Sequence, residues 1–206
     1  MNTITRRSIL TGAAAVAAAA VTPARAADAP ATTKNMPLIR RDLELTKEEC
    51  LWTIEHTETA VLGTADKSGV PYAVPITPFM LDGKIYFHGV GQDIGRWNAN
   101  LKQNPEVSLC YVALHDRNEP KLTTMYLSVI VAGHTRLVTD RNEKRELMRQ
   151  LIVHHAPSED SRHDIGVREK KLDLVNVWEI TIDRMTGKAK PAAYEKYFGR
   201  KMPKRG

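Results

Sequence analysis

The sequence predicts a mainly β protein with peripheral helices, in which five or six strands form a small barrel. Short segments rich in Val, Ile and Thr alternate with tight turns, and amphipathic segments lie between them. The 206 residues suit one domain, since domains commonly run to about 100–200 residues. Beyond the N-terminus, no apolar run approaches the ~20 residues that span a bilayer. We therefore expect a soluble mature domain.

The first 26 residues have the features of an export signal. Arg6 and Arg7 precede an alanine-rich apolar segment, and Ala24-Arg25-Ala26 forms a small-x-small cleavage pattern. The paired arginines and the low hydrophobicity of the alanine run favour twin-arginine export over general secretion, which is the alternative. We expect a twin-arginine signal over 1–26, a linker over 27–38, and a periplasmic or otherwise exported mature protein.

Capping residues mark the beginnings of the predicted helices. Thr46 and Glu49 form a capping box, in which each side chain bonds the other residue's backbone N–H. Asp93 and Asp140 are predicted as N-caps, because an aspartate at that position accepts from the first free N–H groups. The predicted helices cover 46–56, 93–103, 140–154 and 167–172.

The strands are separated by turn residues. Asp82-Gly83 predicts a hairpin turn. Pro71, Pro75 and Pro78 interrupt the second strand, which we place at a sheet edge or at bulges, because proline cannot donate to a ladder. The predicted strands cover 59–65, 70–80, 84–88, 106–114, 122–138 and 175–182, with a polar loop over 115–121.

The charge distribution argues against a nucleic-acid-binding body. The formal charge is +6, but three arginines lie in the predicted signal and eight basic residues lie between 184 and 206. The segment 27–183 therefore carries a formal charge of −4, whereas nucleic-acid-binding domains present basic surfaces. We expect no nucleic-acid partner and a solvated basic tail over 191–206. Contact of this tail with an acidic partner or anionic lipid is the alternative.

Cysteine and histidine positions do not predict a disulfide or a metal site. Cys50 falls in a predicted helix and Cys110 in a predicted strand, which favours two buried free thiols. His154, His155 and His163 form a loose cluster, but adjacent histidines at a helix end point in different directions. The sequence also lacks the common hydrolase, zinc-protease, P-loop and dinucleotide motifs.

The segment 85–97 is the best candidate for a ligand site. A predicted strand ends at His88, a glycine-rich loop follows, and a helix begins near Asp93. This arrangement gathers free N–H groups and the positive end of a helix dipole where a phosphate can bind. Arg96 can present a planar fork to a dianion. A purely structural loop with a solvated Arg96 is the alternative.

A series of short motifs follows in a fixed order from about residue 39 to 190. They are VLGTA (61–65), GVPYAVPI (69–76), DGKIYFH (82–88), NL (100–101), NPEV (104–107), TTMYLSVIVAG (123–133) and IDRMTGK (182–188). Together they resemble the pyridoxamine 5′-phosphate oxidase-like split-barrel superfamily, in particular its nitroimidazole-resistance branch. The resemblance implies a split β-barrel domain over 39–190 that forms a homodimer and binds flavin mononucleotide (FMN) in a groove at the subunit interface.

The resemblance also implies site residues. Thr64 and the 75–77 strand would line the flavin ring, the loop beyond His88 would hold the phosphate, and Ser128 would complete the pocket. Relatives often carry lysine at the position of Trp97, so Arg96 is the candidate replacement cation, and Trp97 either packs or covers a ring system. The implied cofactor-binding residues are Thr64, Pro75, Ile76, Thr77, His88, Gly95, Arg96, Trp97 and Ser128.

The implied function is an FMN-dependent oxidoreductase of a small oxidised or nitro-aromatic substrate, with an unidentified periplasmic or membrane electron donor. His88 is the candidate catalytic residue, because a histidine can bond the phosphate, contact substrate or ligate haem; a structural histidine is the alternative. Two alternatives remain for the protein as a whole. One is a haem-binding or haem-handling protein with His88 or His134 as ligand, and the other is a non-catalytic flavin-binding module.

Overall fold

The computed structural model describes residues 36–91, 94–156 and 171–204. The predicted signal, most of the predicted linker, His163 and most of the helix predicted over 167–172 lie outside these ranges. The unit from Leu38 to Gly206 contains every helix and strand that the structure describes. In the described part of the chain, no helix has the length and apolar character needed to cross a membrane.

Seven antiparallel strands form one sheet. They are β1 (Ala60–Ala65), β2 (Pro71–Ile76), β3 (Phe79–Leu81), β4 (Lys84–Val90), β5 (Glu106–Asn118), β6 (Thr123–Leu137) and β7 (Val175–Ala189). Their order across the sheet is β2-β1-β5-β6-β7-β4-β3, and every pair is antiparallel. The sheet curls into a split β-barrel, which confirms the predicted mainly β fold.

The second predicted strand is two strands, because the chain leaves the sheet at Thr77 and Pro78. These strands, β2 and β3, form the two edges of the sheet. The edge position predicted from the prolines is therefore confirmed. Asp66 N–H donates to Val70 O, so the alternation of an antiparallel pair directs the nitrogens of Pro71 and Pro75 away from β1. No ladder bond is lost to either proline.

Among the described residues, four α-helices pack around the sheet: α1 (Lys47–Glu55), α2 (Arg96–Gln103), α3 (Arg141–His155) and α4 (Pro191–Phe198). The capping box of Thr46 and Glu49 is confirmed, and the Asp140 side chain caps α3. The prediction of Asp93 as the cap of α2 is wrong, since the N-cap is Gly95. Gly95 has a φ of 102°, which side-chain-bearing residues rarely adopt.

The prediction of a solvated tail from residue 191 is wrong for the residues of α4. Ala193 and Tyr194 are fully buried, and the Tyr194 hydroxyl donates to Glu49 Oε1 on α1. Arg200 Nη2 donates to the same carboxylate oxygen at 2.9 Å. Charge counting missed this helix because it lies within a segment, 184–206, that carries eight basic residues and one acidic residue.

Two hydrophobic clusters stabilise the domain. The larger one fills the barrel and includes Phe87 of β4, whereas the smaller one lies between α3 and the sheet and includes Tyr86. Successive residues of β4 therefore face opposite sides of the sheet. Both cysteines are free, as predicted; Cys50 is buried, but Cys110 is only half-buried.

Candidate functional site

The two edges of the sheet leave a groove between them. β3 pairs only with the first residues of β4, through Tyr86, so residues 87–90 pair with β7 alone. β2 likewise pairs with β1 alone. The groove between these open edges has a volume of about 470 Å³. It is lined by Val74, Pro75, Ile76, Thr77, His88, Gly89, Val90, Ile94 and Trp97.

The open edge of β4 directs backbone donors away from the sheet. Gly91 N–H donates to Leu174 O, which sets the alternation of the β4–β7 pair. By that alternation, the N–H and C=O groups of His88 and Val90 point away from β7. On the facing edge of β2, Pro75 has no N–H to offer. The β4 edge therefore supplies backbone donors to this opening.

The structure brings together five of the nine residues implied by the resemblance. Pro75, Ile76, Thr77, His88 and Trp97 all line the groove. The other four, Thr64, Gly95, Arg96 and Ser128, are not among its lining residues. A larger recess of about 820 Å³ at the β5–β6 hairpin contains none of the nine.

Thr64 has a structural role instead of lining the groove. Its side chain is buried, and its hydroxyl donates to Tyr72 O at 3.2 Å. The same hydroxyl accepts a hydrogen bond from Asn100 Nδ2 at 3.0 Å. Because Asn100 belongs to α2, Thr64 connects this helix to β1 and β2, and so fixes the helix that carries Trp97.

Arg96 also points elsewhere. Its guanidinium lies 5.1 Å from the centre of the Tyr72 ring, and its Nη2 donates to Pro71 O at 3.3 Å. Both partners lie at the beginning of β2, whereas the groove contacts its end. Gly95 precedes it as the helix cap.

Ser128 lies on the outer face of the sheet. It lines a separate recess of about 270 Å³ with residues that include Tyr126 and Lys188. In the register of the sheet, Val61 faces Cys110 and Cys110 faces Ile130, so these side chains form one outward row. Val61 and Ile130 are 42% and 40% exposed. This row therefore forms an apolar strip that is exposed at both of its ends.

His88 is exposed at the groove, and two further histidines lie nearby at the end of α3. Burial, together with the charges of His154 and His88, lowers the pKa of His155. The rings of His154 and His155 are 4.8 Å apart and both approach Phe79. No group of three or more His, Cys, Asp or Glu residues with the arrangement of a metal site occurs among the described residues.

His134, the other candidate haem ligand, lies away from the groove. Its Nδ1 is 3.0 Å from Asp183 Oδ1, in a pairing between β6 and β7. His134 is also absent from the residues that line the groove.

Four lining residues are not among the nine implied site residues: Val74, Gly89, Val90 and Ile94. The last three lie within the candidate segment 85–97, whereas Val74 had not been singled out as a site residue. Gly89 had a local signal, since it follows His88 directly and is the first glycine of the glycine-rich segment. A Cβ atom on Gly89 would lie 2.3 Å from Cζ2 of Trp97, so the indole rests directly on the β4 backbone. That contact depends on tertiary packing and has no local sequence signature.

Comparison with known proteins agrees with this architecture. The family model described as pyridoxamine 5′-phosphate oxidase matches residues 46–189. Among curated proteins, no match is found.

Solved structures with the same fold include three bacterial proteins. A protein assigned to 5-nitroimidazole antibiotic resistance from Bacteroides thetaiotaomicron is 21% identical, with a TM-score of 0.59 over 71% of this chain and 86% of that one. The flavocytochrome Anf3 from Azotobacter vinelandii is 22% identical, with a TM-score of 0.59 over 72% and 69%. An FAD- and haem-binding protein from Mycobacterium smegmatis is 17% identical, with a TM-score of 0.58 over 72% and 73%.

The family match covers the capping box of α1, all seven strands and the groove between their edges. At these identities the structural similarity establishes the fold, and the family match establishes the relationship. The chain belongs to the pyridoxamine 5′-phosphate oxidase family and has its split-barrel fold.

Proposed function

We propose that the groove binds FMN and that the protein is an exported oxidoreductase acting on a small oxidised or nitro-aromatic substrate. The observation that carries this proposal is the groove itself. Five residues implied by the family resemblance meet there, between two open strand edges. Relatives of the same fold include a flavocytochrome and an FAD- and haem-binding protein.

The groove fits the ring system of a flavin. Its volume of about 470 Å³ falls within the ~300–1,000 Å³ typical of small-molecule sites. Its walls are mainly apolar, and the N–H groups of His88 and Val90 supply donors at the β4 edge. Apolar walls with a few directed polar groups suit a planar heterocycle, which needs both burial and edge hydrogen bonds.

A bound flavin would supply the electron transfer, and the residues of the chain would bind and tune it. The β4 N–H groups would donate to the ring edge and stabilise negative charge there. The apolar side chains of Val74, Ile76 and Ile94 would contact the ring and shield it from water. His88 is exposed at the groove, where its imidazole can hold a proton for an entering substrate.

Export and partners belong to the same proposal. The twin-arginine pattern at Arg6-Arg7 is typical of proteins exported after folding, which would allow cofactor insertion in the cytoplasm. The electron donor would then be a periplasmic or membrane component.

The homodimer is supported by the outer row of Val61, Cys110 and Ile130, because exposed apolar patches commonly mark interfaces. Ile130→Glu is expected to yield monomers in light scattering; an unchanged mass contradicts this interface.

An absorption spectrum of the isolated protein tests the proposal directly. The purified chain should be yellow, with flavin absorbance bands, and the released cofactor should co-migrate with FMN. A colourless protein that leaves the spectrum of added FMN unchanged contradicts the proposal. His88→Gln should keep the bound flavin but slow reduction of a nitro-aromatic probe, whereas His115→Gln, at an exposed position on β5, should leave both unchanged.

Haem binding is the second candidate, favoured by the exposure of His88 at the groove. Addition of haem should then produce a Soret band that is lost in His88→Ala. The band should persist in His134→Ala, because His134 is paired with Asp183 away from the groove. A non-catalytic flavin-binding module would show the yellow colour without turnover by any artificial donor.

A further inference from the structure

We propose that the groove recognises its cofactor through the aromatic ring system and not through a phosphate, with Trp97 as the stacking wall and Gly89 as the residue that positions it. The inference rests on the proposed flavin function. It concerns which part of the ligand provides affinity, and therefore which flavins the protein accepts.

Gly89 allows the six-membered ring of the Trp97 indole to contact the backbone of β4 directly. A Cβ at position 89 would be 2.3 Å from Cζ2 and 2.7 Å from Cη2 of Trp97, closer than real Cβ contacts. On the same face of β4, the ring of Phe87 lies 5.7 Å from the indole at an interplanar angle of 55°. The indole is therefore held by the strand and by Phe87, in one orientation.

The remaining surface of Trp97 faces the groove. Trp97 is half-buried, and the other lining side chains around it are mainly aliphatic. A rigid indole among aliphatic side chains forms a flat, apolar wall. A ligand ring that stacks on this wall gains dispersion and quadrupole interactions beyond its area burial, and neither depends on the ligand's charge.

The described lining carries no permanent positive charge. Its only ionisable side chain is that of His88. Arg96, the nearest candidate cation in sequence, is bonded to Pro71 O and stacks on Tyr72 at the other end of β2. A phosphate dianion entering the groove would thus meet no Arg or Lys among these residues. The binding free energy is then expected to come from the ring.

The experiment compares three flavins that share a ring and differ in phosphate. Riboflavin, FMN and FAD are titrated into the purified chain after release of bound ligand, and binding is followed by quenching of flavin fluorescence. Riboflavin and FMN should bind within about 3-fold of each other. Trp97→Leu should weaken both by about 10-fold or more and relieve the quenching, as expected for loss of one stacking partner.

Two further variants separate the stacking wall from general damage. Gly89→Ala should weaken riboflavin and FMN equally, because the added methyl group displaces the indole. Trp97→Phe, a smaller aromatic residue, should partly restore both affinity and quenching relative to Trp97→Leu. Trp52→Leu is the matched control: Trp52 lies on α1, stacked on His56, and should not affect flavin binding.

The outcomes distinguish this inference from the proposed function. If FMN binds more than about 3-fold tighter than riboflavin, the phosphate contributes to affinity and the inference is overturned while the flavin function stands. Loss of that preference in Arg96→Gln would then assign the phosphate contact to Arg96. Equal binding by wild type and Trp97→Leu overturns the inference in the same way. If none of the three flavins binds, the proposed function fails and the inference falls with it.

Discussion

Glu179 of β7 is a buried carboxylate that bonds side chains of the two neighbouring strands, β4 and β6. It is 4% exposed and accepts hydrogen bonds from Lys84 at 2.9 Å, Tyr86 at 3.1 Å and Arg136 at 2.5 Å. Burial raises the pKa of this carboxyl, but these partners together lower the pKa from 4.5 to about 2. Since one pKa unit is ~1.4 kcal/mol, the network contributes about 3 kcal/mol at neutral pH.

Glu179→Gln should therefore lower the free energy of unfolding by about 3 kcal/mol at neutral pH. For a protein of this length, that corresponds to a decrease in Tm of about 6–12 °C. Glu143→Gln is the matched control, because Glu143 bonds the same Arg136 but its side chain is 36% exposed. An exposed pair contributes about 1 kcal/mol or less. The assay is denaturant unfolding of the three proteins at several pH values.

The sign of the pH dependence is fixed by the direction of the shift. The folded pKa of Glu179 is below the unfolded value of 4.5, so the stabilisation is complete above pH 4.5 and is lost as the pH falls towards 2. The difference between wild type and Glu179→Gln should shrink across that interval. A difference that stays constant down to pH 2, or one no larger than that of Glu143→Gln, would refute the electrostatic reasoning.

Three further changes test other parts of the fold. Gly133→Ala should destabilise the protein by about 1–3 kcal/mol in denaturant unfolding, because its Cβ would lie 2.2 Å from Thr181 O; an unchanged midpoint contradicts this close packing. Tyr194→Phe should cost about 1.5–3 kcal/mol by removing a donor to Glu49, and protease cleavage near the C-terminus should increase; equal cleavage contradicts docking of α4. Burial lowers the pKa of His155 below 6.5, so the Tm of the wild-type protein should fall as the pH drops below 6.5. His155→Gln should reduce this fall in Tm, and a variant with the same dependence of Tm on pH as the wild type contradicts the prediction.

Local features of the fold were predictable from sequence because their causes are local. The capping box of Thr46 and Glu49 needs only residues three apart, and the edge position of β2 follows from proline's missing N–H. The cap of α2 was not predicted, since Gly95 acts through a positive φ and not through a side chain. The burial of Tyr194 depends on Glu49, 145 residues away in sequence.

The same distinction applies to the candidate site. Pro75, Ile76 and Thr77 are consecutive residues that the family resemblance implied together, and all three line the groove. Thr64 was implied as a site residue by the family resemblance, and Arg96 was a candidate because its guanidinium can bind a dianion. Their hydrogen bonds are used elsewhere, by Asn100 and by Pro71 O, and no sequence pattern reports those contacts.

The groove exists because β2 ends at Ile76 and β3 pairs with β4 only through Tyr86. The sequence accounts for both strand ends. Pro78 follows the end of β2, and β3 is then too short to cover β4 beyond Tyr86. A longer β3 would pair with the N–H and C=O groups of His88 and Val90 and close the barrel. The nitrogens of Pro71 and Pro75 face the other open edge, so that edge offers no N–H at these positions to a pairing strand. The prolines that end or interrupt strand pairing therefore also leave the groove open. At the groove, the N–H groups of β4 and the indole of Trp97 can contact the same ligand.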